Sequence, residues 1–155
     1  MSSRSYVTGA AAWVALGVLA GCTSKGPGDF AHVSGTVTQN GNPVEGAKVT
    51  FVSTTEVDGV QERFSTETDS SGKYLIAGVG KTPGIPPGRY KVVVTKLIIK
   101  PGFKAPEDFD STQLEMSGMG VNSLPKEYSD VGTTKLSATL ESGKNKDVNF
   151  ELKGK

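Results

Sequence analysis

Residues 32–52 read HVSGTVTQNGNPVEGAKVTFV, two alternating runs around a turn. Val33 and Val37 alternate with Ser34, Thr36 and Thr38, and on the return Ala47, Val49 and Phe51 alternate with Lys48 and Thr50. A period of two residues sets one face of each run against a core and the other in water, as in half-buried strands. Between them Asn40-Gly41 supplies residues that tolerate positive φ, which tight hairpin turns require. Pro43 then lacks the N–H that further pairing on its side would use. The expectation is a hairpin of these two runs onto which later segments pack.

Working outward, residues 61–68 (QERFSTET) form a polar strand with Phe64 as its large apolar residue, suited to a sheet edge. Asp69-Ser70-Ser71-Gly72 is a turn, and Lys73, Tyr74, Leu75 and Ile76 resume a strand, so a second hairpin is expected. Residues 77–88 are rich in glycine and proline and read as an extended connection. Residues 89–100 (RYKVVVTKLIIK) are the most strand-like of all, apolar on both faces and therefore central. Residues 101–130 read as one long loop, with a helical turn or two within 107–116 and with Leu124 and Tyr128 bringing apolar groups back to the sheet. Residues 134–140 and 146–152 alternate again around Ser142-Gly143-Lys144-Asn145, a closing hairpin. About seven strands with turn signals every eight to twelve residues predict an all-β, antiparallel two-sheet sandwich. Its inward set runs from Val33, Val37, Val44, Ala47, Val49 and Phe51 through Tyr74, Ile76, Tyr90, Val92 and Val94. It ends with Leu136, Ala138, Leu140, Val148, Phe150 and Leu152.

The chain has 155 residues, enough for one domain with a substantial core. Its 17 basic and 16 acidic side chains leave no basic field for nucleic acid and no acidic tail. Residues 1–21 differ from everything after them. Arg4 is their one charge, and residues 7–20 are small and apolar, shorter than a comfortable membrane span but suited to the core of an export signal. That run ends in Leu19-Ala20-Gly21-Cys22, which resembles the lipobox of bacterial lipoproteins. The resemblance implies that residues 1–21 are removed and that Cys22 becomes an acylated, palmitate-bearing N-terminus anchored in a membrane. Each buried methylene contributes about 0.8 kcal/mol to such an anchor. Cys22 is the single cysteine of the chain, so no internal disulfide competes for it. Residues 22–30 then form a lipidated polar tether, and residues 31–153 the β domain. Thr23 after the cysteine, in place of an aspartate, points by the usual sorting rule to the outer membrane over the inner.

Three pieces share a further pattern: Val33-Ser34-Gly35-Thr36-Val37 with Pro43-Val44-Glu45-Gly46-Ala47-Lys48-Val49, then Thr68-Asp69-Ser70-Ser71-Gly72-Lys73-Tyr74, then Pro87-Gly88-Arg89-Tyr90-Lys91-Val92. Together these resemble the carboxypeptidase regulatory-like modules of transthyretin-like (prealbumin-like) fold. The tail from Leu124-Pro125-Lys126-Glu127-Tyr128 onward is similar to small exported lipoproteins of planctomycete-type bacteria. The matching residues are glycines and turn formers, so the resemblance implies a fold and no particular chemistry.

The enzyme of transthyretin-like shape, a hydroxyisourate hydrolase, needs several histidines and a C-terminal Tyr-Arg-Gly-Ser. Here His32 is the one histidine and the chain ends Glu151-Leu152-Lys153-Gly154-Lys155. His32 alone cannot supply the base of a nucleophilic triad or a metal site. Glu107, Asp108, Asp110 and Glu115 are acidic without the alternating spacing of a calcium loop. Lysine–asparagine crosslinking of the pilus kind fails on the first strand, which has no lysine. The reading is therefore a monomeric, lipid-anchored envelope module without catalysis or cofactor, binding an envelope protein or glycan. Its alternative is a carbohydrate-binding surface module that uses residues 81–88 and 101–130, with Phe103 or Tyr128 stacking on sugar rings.

Overall fold

Alternation and turn chemistry place eleven strands in the residues the computed structural model describes, which are 30–76, 84–104, 106, 109 and 111–154. In chain order these are β1 (Ala31–Gln39), β2 (Asn42–Pro43), β3 (Lys48–Val57), β4 (Val60–Glu67), β5 (Lys73–Ile76) and β6 (Gly88–Thr95). They continue with β7 (Leu97–Ile99), β8 (Gly120–Asn122), β9 (Ser137–Leu140), β10 (Gly143–Asn145) and β11 (Phe150–Leu152). One short helix, α1 (Ser111–Ser117), precedes β8, and a 3₁₀ turn spans Lys126–Tyr128. The protein is an all-β sandwich, and the described residues hold no helix long and apolar enough to cross a membrane. The signal segment, the tether through Asp29 and residues 77–83 lie outside the described residues.

The first sheet is organised on β1, whose two halves have different neighbours. Val33 to Thr36 pair antiparallel with β5, and Thr38 and Gln39 pair with β2. On the other side Ala31 to Val33 pair in parallel with β10, and Val37 to Gln39 in parallel with β11. The second sheet has the order β4-β3-β6-β9, antiparallel throughout. The first sheet is thus mixed, where the alternation alone suggested a purely antiparallel sandwich.

All three expected hairpins turn out to be crossings between the sheets. Asn40 and Gly41 do adopt the left-handed turn, with φ of 50° and 81°. The return strand, however, lasts only through β2; the chain then leaves at Val44 and builds β3 in the opposite sheet. Likewise β4 pairs with β3 while β5 pairs with β1, and β9 pairs with β6 while β11 pairs with β1. The alternation of each run was right, because inward residues face the same core from either sheet. A local pattern carries no information about which strand lies alongside. The intact long hairpin is β3–β4, closed by Asp58-Gly59 at φ of 53° and 76°.

Thr68 secures the first crossing. It is 5% exposed, and its hydroxyl donates to the Val44 carbonyl at 2.6 Å and accepts the Ala47 N–H at 2.8 Å. Its own backbone N–H donates to the Ala47 carbonyl, and its carbonyl accepts from Gly46. A chain that leaves one sheet for another strands backbone polar groups, and this threonine satisfies them.

Phe51 lies at the middle of the core. Its ring centroid is 6.0 Å from Tyr90 in its own sheet, and 6.1 Å from both Tyr74 and Phe150 in the facing sheet. Tyr74 and Phe150 stack at 12°. The inward residues named from the alternation all join or flank this cluster, which also takes in Ala31, Ile85, Leu124 and Tyr128. Each large side chain so buried contributes about 1.5–3 kcal/mol. The tyrosine hydroxyls remain satisfied, Tyr74 donating to the Val148 carbonyl and Tyr90 to that of Pro86, each at 2.6 Å.

Residues 89–100 do not form one strand. The run breaks at Lys96, whose N–H is taken by the Asn122 side-chain oxygen at 3.0 Å. β7 then pairs with β8 as a separate two-stranded ribbon, with α1 packed against it. The stretch read as one long loop therefore holds a helix, a strand and a 3₁₀ turn. Its apolar residues Leu114, Leu124 and Tyr128 are buried.

Candidate functional site

The sandwich has two poles, set by the direction of β1. Ala31, at the start of β1, is bonded to Ile85 and pairs with Gly143, so the chain enters the domain at that pole. Gln39, at its end, lies about 26 Å away at 3.3 Å per residue. The Asn40-Gly41 turn, the β6–β7 junction at Lys96 and the C-terminal residues gather at this second pole, where the Asn40 amide donates to the Gly154 carbonyl at 2.8 Å.

A cleft of about 420 Å³ opens there. One wall carries the carboxamides of Gln39, Asn40 and Asn42; the other carries Lys96 and Ser123. Val44 and Leu124, both buried, supply apolar lining, with Pro43 beside them. Beside the second wall, Asn122 is held by its oxygen, which accepts the N–H groups of Lys96 and Leu124 at 3.0 and 3.3 Å. Its amide nitrogen is buried without a hydrogen-bond partner among the described residues. No carboxylate lines the cleft, and the Lys96 ammonium has no ion pair among the described residues.

A second groove, of about 540 Å³, crosses the outer face of the β4-β3-β6 sheet. Thr50 and Ser65, register partners joined by a 2.8 Å hydroxyl contact, form its floor, and residues 129–132 overhang it. Its charges are largely spent within the protein. Lys48 pairs with Glu115 at 3.2 Å, and one Asp130 oxygen accepts the Gly132 N–H at 2.7 Å.

The residues singled out from sequence do not converge. Phe103 is 55% exposed just beyond β7, as a stacking residue would be. Tyr128 is 8% exposed and belongs to the core, so it cannot stack on a sugar ring. Its hydroxyl accepts the Lys153 N–H at 2.9 Å and donates to the Lys153 carbonyl at 3.3 Å, fastening the C-terminal segment. An aromatic residue in a presumed loop reads the same from sequence whether it faces solvent or core. His32 is exposed on β1 beside Lys144. Glu115 is committed to Lys48, while Glu107, Asp108 and Asp110 lie outside the described residues, as do Leu19, Ala20, Gly21 and Cys22. Among the described residues no three His, Cys, Asp or Glu side chains group as metal ligands would. Asn149 accepts the Thr36 N–H at 2.8 Å across the β10–β11 break. The cleft residues Asn42, Lys96 and Ser123 were missed; the one sequence signal for them was the density of carboxamides at residues 39–42.

Fold and site together define a β-sandwich module with an amide-rich cleft at the pole opposite its point of entry. No family model matches the chain, and no solved structure matches it. Among known proteins it is similar to intimin of Citrobacter freundii, with 33% identity over 112 residues. That alignment takes in 70% of this chain but spans only 12% of the length of intimin.

Proposed function

We propose that this protein is a lipid-anchored, non-catalytic binding module of the bacterial cell envelope. One observation carries the reading: the chain's single cysteine, Cys22, directly follows Leu19-Ala20-Gly21 at the end of a short apolar run, and the β domain begins nine residues later at Ala31. The similarity to a bacterial protein supports it, as does a domain entered at one pole with its polar cleft at the other. Residues 23–30 reach at most about 28 Å when extended, so the anchored domain stays close to the bilayer. On this reading the outer membrane is the destination, and the module belongs with the carboxypeptidase regulatory-like lipoproteins that its glycine and turn residues resemble.

The test is the intact mass of membrane-extracted protein beside a Cys22→Ala variant. The expected result is loss of residues 1–21 with added acyl mass in the native protein, and neither change in the variant. Retention of residues 1–21 without modification in both overturns the proposal. Separating inner from outer membranes in the same preparation checks the destination.

A further inference from the structure

We infer that the cleft between the Asn40-Gly41 turn and the β6–β7 junction is a binding site for an acidic saccharide. The inference deepens the binding-module reading and rests on it only for the cleft's orientation away from the membrane. Three features of the cleft converge on that ligand. Carboxamides both donate and accept. Asn40 and Asn42 each give one amide proton to a backbone carbonyl, of Gly154 and of Asn40. A second amide proton and the side-chain oxygen of each suit sugar hydroxyls, which also donate and accept. Val44 and Leu124 offer an apolar surface on which the C–H face of a ring can rest.

The third feature selects charge. Among the described residues Lys96 lines the cleft without an ion pair, and no carboxylate shares the lining with it. A ligand carboxylate would complete a charge-assisted hydrogen bond there, roughly twice as strong as a neutral one. The outer groove on β3 and β4 differs on this point, since the carboxylates of Glu115 and Asp130 line it together with Lys48 and Arg63. A cleft of about 420 Å³ falls within the size range of small-ligand sites.

The experiment is calorimetric titration of the full chain in detergent with digalacturonate and sialyllactose as acidic probes, and maltose and lactose as neutral ones. Binding of at least one acidic probe is expected, about tenfold tighter than the neutral sugars and weakening with salt. Lys96→Met should abolish that preference, and Asn42→Ala should weaken acidic and neutral probes alike. Thermal unfolding of each variant confirms that the fold is kept. The inference is overturned by no acidic binding at millimolar probe, by unchanged binding in both variants, or by binding that is lost in Phe103→Ala instead. Running Cys22→Ala alongside separates the two readings, because saccharide binding should survive the loss of the lipid anchor.

Discussion

Gly35 and Val148 are in such close approach that a methyl group on Gly35 would stand 1.9 Å from the Val148 carbonyl oxygen. The contact lies where the C-terminal chain leaves β10 and rejoins β1 as β11, bulging inward at Asp147 with φ of 59°. Val148 in turn donates its N–H to the Ser34 carbonyl at 3.0 Å and accepts the Tyr74 hydroxyl. Glycine is required at residue 35 for space, since the atoms in the way are backbone held by two hydrogen bonds. Gly35→Ala is therefore expected to cost about 3 kcal/mol or more, the upper end of overpacking. A loss of less than about 1 kcal/mol in urea unfolding would show that the bulge can move aside.

Thr68 makes a chemical demand where the chain crosses from one sheet to the other. Thr68→Val keeps the shape but leaves the Val44 carbonyl and the Ala47 N–H buried without the hydroxyl. Each abandoned group costs about 1–3 kcal/mol, so the variant should lose about 2–6 kcal/mol in denaturant unfolding. Thr68→Ser, which retains the oxygen, should lose less than half as much. Equal losses in the two would assign the role of this residue to its methyl group.

These two residues mark the division between what was legible in the sequence and what was not. Val49 and Phe51 announced a strand and its inward face, because alternation is written in consecutive residues. Which strand lies beside β1 is decided by contacts such as Thr36 with Asn149, separated by 113 positions. No local pattern reports a pairing of that range. Hence Asn40-Gly41 was recognised as a turn, yet the sheet change at Val44 was not. The candidate site divides likewise. Cys22 stands out within a contiguous motif, whereas the cleft joins residues 39–44 to 96 and 123–124 only after folding. Tyr128 was misjudged for the same reason, its burial depending on a 3₁₀ turn that docks it on the core.

Tyr128→Phe tests that docking directly. Removing the hydroxyl deletes the two hydrogen bonds to Lys153 while the ring still fills its place. The expected cost is about 1 kcal/mol in global stability, with a larger loss of protection at the Lys153 amide by hydrogen exchange. Saccharide binding should be unchanged, because Tyr128 lies outside the cleft. Loss of binding without loss of Lys153 protection would return Tyr128 to the ligand.

The buried tyrosines give the fold a limit at high pH. Burial, and then the nearby Glu62 charge, push the Tyr90 hydroxyl up to about 12 from its ordinary value of 10.0, and burial alone raises Tyr74. In the unfolded chain both hydroxyls ionise near the ordinary value. Between about pH 10 and pH 12 the unfolded state has lost protons that the folded state still holds, so stability falls as pH rises. Below about pH 10 both states carry the proton and this contribution is fully present. Denaturant midpoints stepped from about pH 8 to about pH 12 should stay level at first and then decline. Two variants assign the decline. Tyr90→Phe should start less stable, since the Pro86 carbonyl loses its donor, but its decline should be shallower. Glu62→Gln removes the charge that helps hold the proton on Tyr90 and should make the decline shallower without the initial loss. Slopes identical in all three proteins would place the alkaline limit on other groups.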